Sequence, residues 1–562
     1  MQIEWATAAG ASGQAILRAP PFPGGEPLGR PSLRRGAAVR PRASAEILEI
    51  CRAVVDARVG GSFWAQPPKQ RRFGALVRFR AGLDLEKLIE ACRAPGDAAI
   101  LVSSPRRISG MDARGGSVRN LVGDYDAWAL IASADRVFAS PDDELALLAA
   151  ARGRQVYDAK SGTRIETAEA RIRLVRLLDS FAYADPFDGG PIDLADWIAI
   201  LGRWRLEIDA NRTISSVAGV RRWKSGALRR LLWSDQPIKL TSCPDMGGTP
   251  TGKAIALWPS RAPGDFLQKA ADAGVEVARI EDGFIRSLGL GAHLIPPCSI
   301  VLDCAGIYYD PTRPSDLERI LSETDFPPHL LERASALVCT LVQGGVTKYA
   351  AGTAASVTLP QAPRRVLVPG QVEDDQSVLL GAAGVSGNLD LLRRARLAEP
   401  DAWIAYRPHP DVSSGLRRGR IEEDEALRYA DAVLTKGTIS DLLDQVDAVH
   451  VLTSLAGFEA LLRGCQVFTH GQPFYAGWGL TSDLGPRVMR RGRPLTLLEL
   501  VAGTLILYPR YLDPLTRLPC PPEILVRRHA TAPLPRPTLL NRLRRCQGKA
   551  QLLGRRLAGA LW

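Results

Sequence analysis

Two stretches far apart in the chain repeat one pattern, and the repeat constrains the fold more than any single element does. They are YDAWALIASADRVFASPDDELALLAAARGRQVY (Tyr125–Tyr157) and ISDLLDQVDAVHVLTSLAGFEALLRGCQVF (Ile439–Phe468). Each reads helix, Ala/Asp turn, strand, short polar junction, Leu/Ala-rich helix, Arg-Gly, then Gln-Val. A strand that enters a helix and returns as a strand is the unit of a parallel sheet covered by helices. Upstream, ILVSSPRRISG (Ile100–Gly110) parallels IAYRPHPDVSSG (Ile404–Gly415). The earlier half therefore reads as a copy of the later half, altered at the polar junctions. Ser104-Pro105 stands where the later copy has His409-Pro410, and Asp142 or Asp143 stands for Ser454. An acidic side chain at that junction would repel a phosphate.

Alternation of short apolar runs with helical patterns extends the α/β reading along the chain. Residues 1–44, rich in Pro, Gly and Arg, read as an irregular lead-in. From Ala45 the pattern becomes globular, with helices at Ala45–Ala57, Leu85–Arg93 and Glu144–Ala151 and extended runs at Ala75–Phe79 and Ala98–Val102. Residues 45–160 form a partial α/β module and 161–234 a polar, helical connector. A second region, 235–520, predicts strands at Ala254–Trp258, Val275–Ile280, Ser299–Asp303, Arg365–Pro369, Trp403–Arg407, Ala432–Thr435, Ala448–Thr453 and Gln466–Thr469. Two such layers facing a cleft, with their boundary near 345–362, make a double Rossmann module. Residues 521–562 are a basic tail.

A chain of 562 residues, 46% hydrophobic and 23% charged, has the material for several packed cores. Its nine cysteines, from Cys51 to Cys546, include no CxxC pair, so neither a disulfide framework nor a zinc ribbon is expected. The start lacks a basic segment followed by an apolar one, and no apolar run reaches the ~18 residues of a membrane span. A reducing cytoplasm is the expected location. A net charge of +12 and a pI near 9.4 favour acidic partners: nucleic acid, sugar nucleotides or an anionic membrane surface.

Three strand-to-loop junctions would converge at the carboxyl edge of the later sheet, where open parallel sheets bind ligands. They are PGQVEDDQS (Pro369–Ser377), RPHPD (Arg407–Asp411) and TSLAGFE (Thr453–Glu459). Ser454 opens a helix, and a Ser cap beside free amides suits a phosphate as well as it serves an ordinary helix start. His409 can polarise a phosphate oxygen or give a proton to a departing one. Arg407 lies two residues before it, and three of the six histidines (His409, His450, His470) fall in this region. Glu373, Asp374 and Asp375 crowd three carboxylates, so one can stay ionised as nucleophile or base while another is raised in pKa; the alternative is a solvated acidic turn. Glu281-Asp282-Gly283 poses the same question, followed by an amide-rich RSLGLG (Arg286–Gly291). Asp124-Tyr125-Asp126 has the look of an Asp-x-Asp metal site but lacks a third ligand, and it reads as a surface turn. No metal site is expected. In the tail, Arg542, Arg544, Arg545, Lys549, Arg555 and Arg556 interleave with Leu before Leu561-Trp562, which reads as a helix on anionic lipid or as a solvated helix packed on its domain.

Taken together, EDGFIRSLGLG (Glu281–Gly291), DCAGIYYDPTRPSD (Asp303–Asp316), GQVEDDQS (Gly370–Ser377), YRPHPD (Tyr406–Asp411), TSLAGFEALLRG (Thr453–Gly464) and GQPFYAGWGLTSD (Gly471–Asp483) resemble the capsular polysaccharide biosynthesis family of KpsC/LipA type. The resemblance is strong over about 240–520 and weaker before 234. It implies a GT-B-like catalytic module at 235–520, preceded by a partial, diverged transferase-like module at 45–160. It further implies a retaining β-Kdo transferase that takes Kdo from CMP-Kdo and extends an oligo-Kdo linker on a phosphatidylglycerol anchor. By the same resemblance Asp375 is the catalytic aspartate, and Glu281 and Asp282 serve acid/base or acceptor-side roles. His409 and Ser454 would hold the CMP phosphate, with Pro410, Arg407, Lys436 and Glu459 completing the donor site. No cofactor or metal is implied. The expected partners are CMP-Kdo, the lipid-linked Kdo acceptor, an anionic membrane and other capsule assembly proteins, not nucleic acid. The protein would sit peripherally on the inner face of the inner membrane. Transfer of another nonulosonic acid from CMP, and a silent assembly or export partner, are the rival expectations. The earlier copy lacks the EDG, His-Pro and Ser motifs, and Ala350 stands after Lys348-Tyr349 where a polar residue is expected.

Overall fold

A computed structural model describes residues 15–34, 41–69, 72–80, 82–92, 100–104, 118–241, 246–259, 265–285, 296–344, 357–415 and 417–531. These divide into two units. The first comprises the described residues up to Thr213 with Leu232–Ile238 and Leu515–Leu518; the second comprises Ile214–Leu231, Lys239–Pro514 and the described residues from Pro519 onward.

The first unit holds β1 (Ser32–Leu33), β2 (Phe73–Arg78), β3 (Ile100–Ser104), β4 (Val118–Val122), β5 (Ala134–Ala139), β6 (Gln155–Asp158), β7 (Arg164–Ile165), β8 (Phe181–Ala184) and β9 (Pro191–Ile192). Its main sheet runs β4-β3-β2-β5-β6-β7, parallel except for the last pair. Ala75, Val77, Ile100, Val102 and Phe138 build the core on one face of this sheet. The span expected as a connector belongs largely to this unit. Helix Thr167–Asp179 packs on Glu144–Ala151, and Leu194–Asn211 packs on Ser44–Ala57. The two aromatic rings at Trp197 and Trp204 are fully buried. The lead-in is also packed where it is described: Ile16, Leu17 and Phe22 are buried, and the Trp197 indole donates to the Leu17 carbonyl at 3.0 Å. Prolines and glycines without periodicity gave no sign of this burial.

The second unit opens earlier than expected, at β10 (Ile214–Ala218) rather than at 235. It continues with β11 (Lys239–Thr241), β12 (Ala254–Leu257), β13 (Val277–Asp282) and β14 (Ser299–Asp303). Then follow β15 (Arg365–Pro369), β16 (Trp403–Arg407), β17 (Ala432–Val433), β18 (Ala448–Val451), β19 (Gln466–Thr469) and β20 (Ser482–Asp483). The chain closes with β21 (Pro509–Leu512) and β22 (Pro519–Cys520). One sheet runs β11-β10-β12-β13-β14-β21-β22 and the other β17-β16-β15-β18-β19-β20. The second of these is wholly parallel. In the first, β14 is antiparallel to both β13 and β21, a mixed pairing that the alternation did not anticipate. Two Rossmann-like lobes with a return of the chain end to the first lobe make the GT-B-like architecture. The lobe change falls between the helix Pro328–Gln343 and β15; residues 345–356 of the expected boundary lie outside the described residues.

The sheet of the first unit and the parallel sheet of the second share one strand order, with β2 matching β15 and β5 matching β18. The repeat is thus a copy of one lobe only. The expected tail begins as a packed helix, Pro522–Thr531, with Leu525 and Val526 buried and Arg528 paired to Asp513 at 3.0 Å. Apart from Arg527 and Arg528, the Arg and Lys residues of the tail lie outside the described residues.

Candidate active site

β15 is a run of apolar β-formers ended by Pro369, which has no amide to extend the ladder. The chain then turns across the carboxyl edge of the sheet. Gly370 is required there, because a Cβ would stand 2.7 Å from the Tyr406 hydroxyl. Buried Gln371 ties this turn to the next junction: its Oε1 accepts from the Leu452 and Thr453 amides at 3.1 and 3.0 Å, and its Nε2 donates to Thr453 Oγ1 at 3.0 Å. Asn388 holds Gln371 in turn, through the Gln371 amide at 2.8 Å and carbonyl at 2.7 Å.

A cleft of about 860 Å³ opens above these junctions and is closed on its other side by the ends of β10 and β13 and by Tyr308 and Tyr309. Asp375, Glu281, Asp282, His409, Pro410, Arg407, Ser454 and Glu459 all line it. Lys436 does not: it is exposed, and its contribution is a backbone carbonyl that accepts from Arg407 at 3.3 Å. Chain proximity to the strand end could not tell which of Lys436 and its neighbours faces inward; Gly437 and Thr438 do.

On the parallel-sheet side, caps of four helices meet the cleft. Ser454 caps Leu455–Leu462, accepting from the Ala456 amide at 3.2 Å, and Thr438 caps Ile439–Leu443 in a reciprocal box with Asp441. His409 caps Pro410–Ser413, with Pro410 at the first helical position where a missing amide costs nothing. Its Nδ1 accepts from the Asp411 amide at 3.2 Å, so the neutral ring carries its proton on Nε2. Asp375 caps Gln376–Gly381, accepting from the Ser377 amide at 3.0 Å and hydroxyl at 2.8 Å. The positive helix ends and the His409 imidazole give this wall the chemistry of an anion site.

The carboxylate cluster after β15 separates into three jobs. Glu373 points away from the cleft and accepts from the Asn388 amide at 2.8 Å. Asp374 pairs with Arg417 at 3.1 Å; burial alone would raise its pKa, but the Arg417 hydrogen bond and charge hold it below the usual carboxylate range. Asp375 lines the cleft with Tyr309. Burial pushes the Tyr309 phenol up, and the negative charges of Glu281 and Asp375, which line the same cleft, push it further. Arg407 is spent largely on carbonyls, donating to Leu434 at 3.0 Å and Gly437 at 2.7 Å, and burial lowers its pKa. It shapes the β17 loop rather than presenting an open fork.

Asp282 is buried in an ion pair with Lys224 at 2.9 Å, and Glu281 accepts from the Asp282 amide at 3.0 Å. Lys224, Arg221 and Trp223 escaped sequence reasoning because they sat in what read as a connector. The weakly apolar β10 (ISSVA) was the missed signal. His450 and His470, counted with His409, lie behind the sheet; they bond to each other at 3.0 Å, and burial lowers both to about 4. Asp126, read as a surface turn, is a buried helix cap paired to Arg205 at 2.7 Å. RSLGLG and the Lys348–Ala350 departure lie outside the described residues.

Among the described residues, no cluster of three metal-ligating side chains occurs, and no helix is long and apolar enough to cross a membrane. The family model for capsule polysaccharide biosynthesis protein matches residues 253–336 and 326–511. Over 243 residues, 43% of this chain, the sequence is 49% identical to the capsule polysaccharide modification protein LipA of Neisseria meningitidis serogroup A, of which the match covers 34%. Over 267 residues it is 40% identical to the lipopolysaccharide-processing protein LpsZ of Rhizobium meliloti, covering 46% of this chain and 60% of that protein. The matched stretch spans about a third of the length of the meningococcal relative. Among solved structures, a β-Kdo 2,7 transferase, KpsC of Thermosulfurimonas dismutans, is 34% identical over 56% of this chain and 98% of that chain, with a TM-score of 0.47.

Proposed function

The chain belongs to the capsule polysaccharide biosynthesis family, and on that premise we propose that it is a glycosyltransferase that moves Kdo from CMP-Kdo to a lipid-linked acceptor. The observation that carries this reading is the two-sided cleft. Helix caps and His409 line one wall, and Glu281, Asp375 and Tyr309 line the same cleft.

In this reading the CMP phosphate lies at the start of helix Leu455–Leu462, within reach of the Ser454 hydroxyl, and His409 Nε2–H donates to a phosphate oxygen. Asp375 attacks the anomeric carbon as the bond to the phosphate oxygen breaks, and the electron pair leaves with CMP. The carboxyl edge of the sheet stabilises that charge as it develops. The acceptor hydroxyl then displaces Asp375 from the sugar while Glu281 takes its proton. Two displacements retain configuration. The hydrogen bonds from the Ser377 amide and hydroxyl hold the Asp375 carboxylate in place. Asp282, held by Lys224, orients this wall rather than acting as a free base. The scheme draws on no cofactor or metal. Phosphatidylglycerol-linked Kdo as acceptor, an anionic inner-membrane face as the place of work and contact with other capsule assembly proteins complete the proposal.

The test is mass spectrometry of a synthetic Kdo-bearing lipid acceptor incubated with CMP-Kdo and the purified chain. A mass gain of one Kdo supports the reading. Absence of both sugar transfer and CMP release overturns it, and preference for another CMP-linked nonulosonic acid moves the donor assignment.

A further inference from the structure

The two carboxylate oxygens of Asp375 are held unequally. Oδ1 accepts from the Ser377 amide at 3.0 Å and from the Ser377 hydroxyl at 2.8 Å, and among the described residues no group donates to Oδ2. An ionised carboxylate only accepts, so the single proton of the Ser377 hydroxyl is committed to Asp375. The next contact in the row, Thr453 Oγ1 to Ser377 Oγ at 3.4 Å, is then donated by Thr453. The far end is fixed independently. Gln371 Oε1 accepts from the Leu452 and Thr453 amides, which turns Nε2 toward Thr453 Oγ1, 3.0 Å away. Every proton in the row Gln371, Thr453, Ser377, Asp375 therefore points toward the carboxylate. All four residues line the cleft, and Thr453 immediately precedes the Ser454 cap. An aspartate that merely starts a helix needs no more than an amide of its first turn. This row runs on to the β18 junction, where the phosphate seat lies.

We propose that Ser377 and Thr453 are positioning residues that hold Oδ1 of Asp375 and leave Oδ2 as the oxygen that attacks. The inference rests on the transferase reading above and adds to it the attacking atom and the link from that atom to the phosphate seat. An Oδ2 lone pair forms the bond to the anomeric carbon while the bond from that carbon to the phosphate oxygen breaks, and its electron pair leaves on CMP. When the acceptor oxygen bonds to the same carbon, the pair of the Oδ2–carbon bond returns to the carboxylate and the acceptor's proton goes to Glu281. Through both steps Oδ1 keeps its two donors, so the carboxylate does not rotate and exchange its oxygens. The Thr453 to Ser377 contact is the long one in the row. Catalytic hydrogen bonds often tighten only in the substrate complex, and this one lies beside the seat that the donor fills.

The test compares the single-turnover rate of sugar transfer, at saturating donor and acceptor, with CMP affinity by calorimetry, in variants of the full chain. Ser377→Ala keeps the capping amide and loses the hydroxyl; it is expected to slow turnover about tenfold and to leave CMP affinity within about twofold of wild type. Thr453→Val should slow turnover by a similar factor. Thr453→Ser keeps both the donor and the acceptor of the hydroxyl, and its rate should stay within about threefold of wild type. Because the hydroxyls act as one row, the double variant Ser377→Ala with Thr453→Val should be no slower than the slower single variant. Losses that multiply in the double variant overturn the proposal, as does a wild-type rate in Ser377→Ala or Thr453→Val. An equal loss of rate and of CMP affinity in Ser377→Ala also overturns it, since that is the mark of a role in shape alone. A wild-type chain that transfers no sugar at all refutes the transferase reading instead, and an active Asp375→Asn chain refutes the choice of nucleophile, so the failures are distinguishable.

Discussion

At the residue scale, Asp375 combines a helix cap with a place in the cleft lining, and the two roles can be separated by one substitution. Asn keeps a side-chain oxygen for the Ser377 amide and hydroxyl but is a far poorer nucleophile. Asp375→Asn is therefore expected to fold normally, to bind CMP with wild-type affinity and to lose transfer by roughly three powers of ten, ~4 kcal/mol of barrier. Intact-protein mass spectrometry with donor alone should show a sugar adduct on wild type and none on the variant. Near wild-type turnover would shift the nucleophile to another carboxylate. The buried histidines make a different kind of prediction. His450 faces His470, Glu399, Arg364 and the Phe468 ring, and burial, reinforced by His470, lowers it to about 4; burial lowers His470 and His529 likewise. Each binds its proton more readily in the unfolded chain, near 6.5, than in the folded one. Stability is fully present above the unfolded value and is lost as pH falls from about 6.5 to about 4. The melting temperature should drop across that window, and His450→Asn, though less stable at pH 7.5, should show a shallower slope.

At the scale of elements, the later sheet was largely legible in the sequence. β15, β16 and β19 fall on their expected bounds because each is an apolar run ended by Pro, Arg-Pro or a polar junction. β10 was not legible, since ISSVA carries two serines and little periodicity, and its strand character comes from pairing with β11 and β12. That single miss hid Arg221, Trp223 and Lys224 from the site. The junction motifs do converge on one cleft, but sequence could not say that Arg407 turns to carbonyls or that Glu373 turns away, because both depend on where the opposite loop lies. Gln371 was quoted within a motif without a role, and it is the strut between the β15 and β18 junctions. Replacing it by Leu leaves the buried Leu452 amide without that acceptor, at about 1–3 kcal/mol, and removes the acceptor of the half-buried Thr453 amide as well. Gln371→Leu is expected to lower the melting temperature by several degrees and to raise donor KM by tenfold or more through displacement of the Ser454 cap. A lowered melting temperature with an unchanged donor KM would leave Gln371 a purely structural strut.

At the scale of the whole molecule, one lobe occurs twice, and residues 532–562 carry seven Arg or Lys and no Asp or Glu. Each cation near an anionic bilayer contributes up to about 1 kcal/mol. Removal of residues 532–562 should therefore weaken sedimentation with phosphatidylglycerol vesicles by tenfold or more at moderate salt while a water-soluble acceptor is turned over as before; unchanged sedimentation removes the tail from membrane binding. The repeated lobe raises the question of a second nucleotide site, and the geometry at its helix start answers it. Helix Glu144–Ala151 stands where Leu455–Leu462 stands in the later copy, and its cap is Asp143 rather than Ser454. The Asp143 carboxylate is only 3% exposed, accepts from the Leu145 amide at 3.0 Å and is held by Arg80 at 2.8 Å, with Arg78 at 4.0 Å. The place that would take a phosphate is thus filled by an anion of the chain itself, and its nearby cations are already paired. A phosphate charge brought within ~4 Å of that carboxylate would meet a repulsion of about 4 kcal/mol at the effective dielectric of a protein surface. Calorimetric titration of CMP into the full chain should give one site per chain. His409→Ala should abolish the measurable heat altogether, since no second site remains beneath it. A residual isotherm in that variant would mean that the earlier copy still reads the nucleotide despite Asp143.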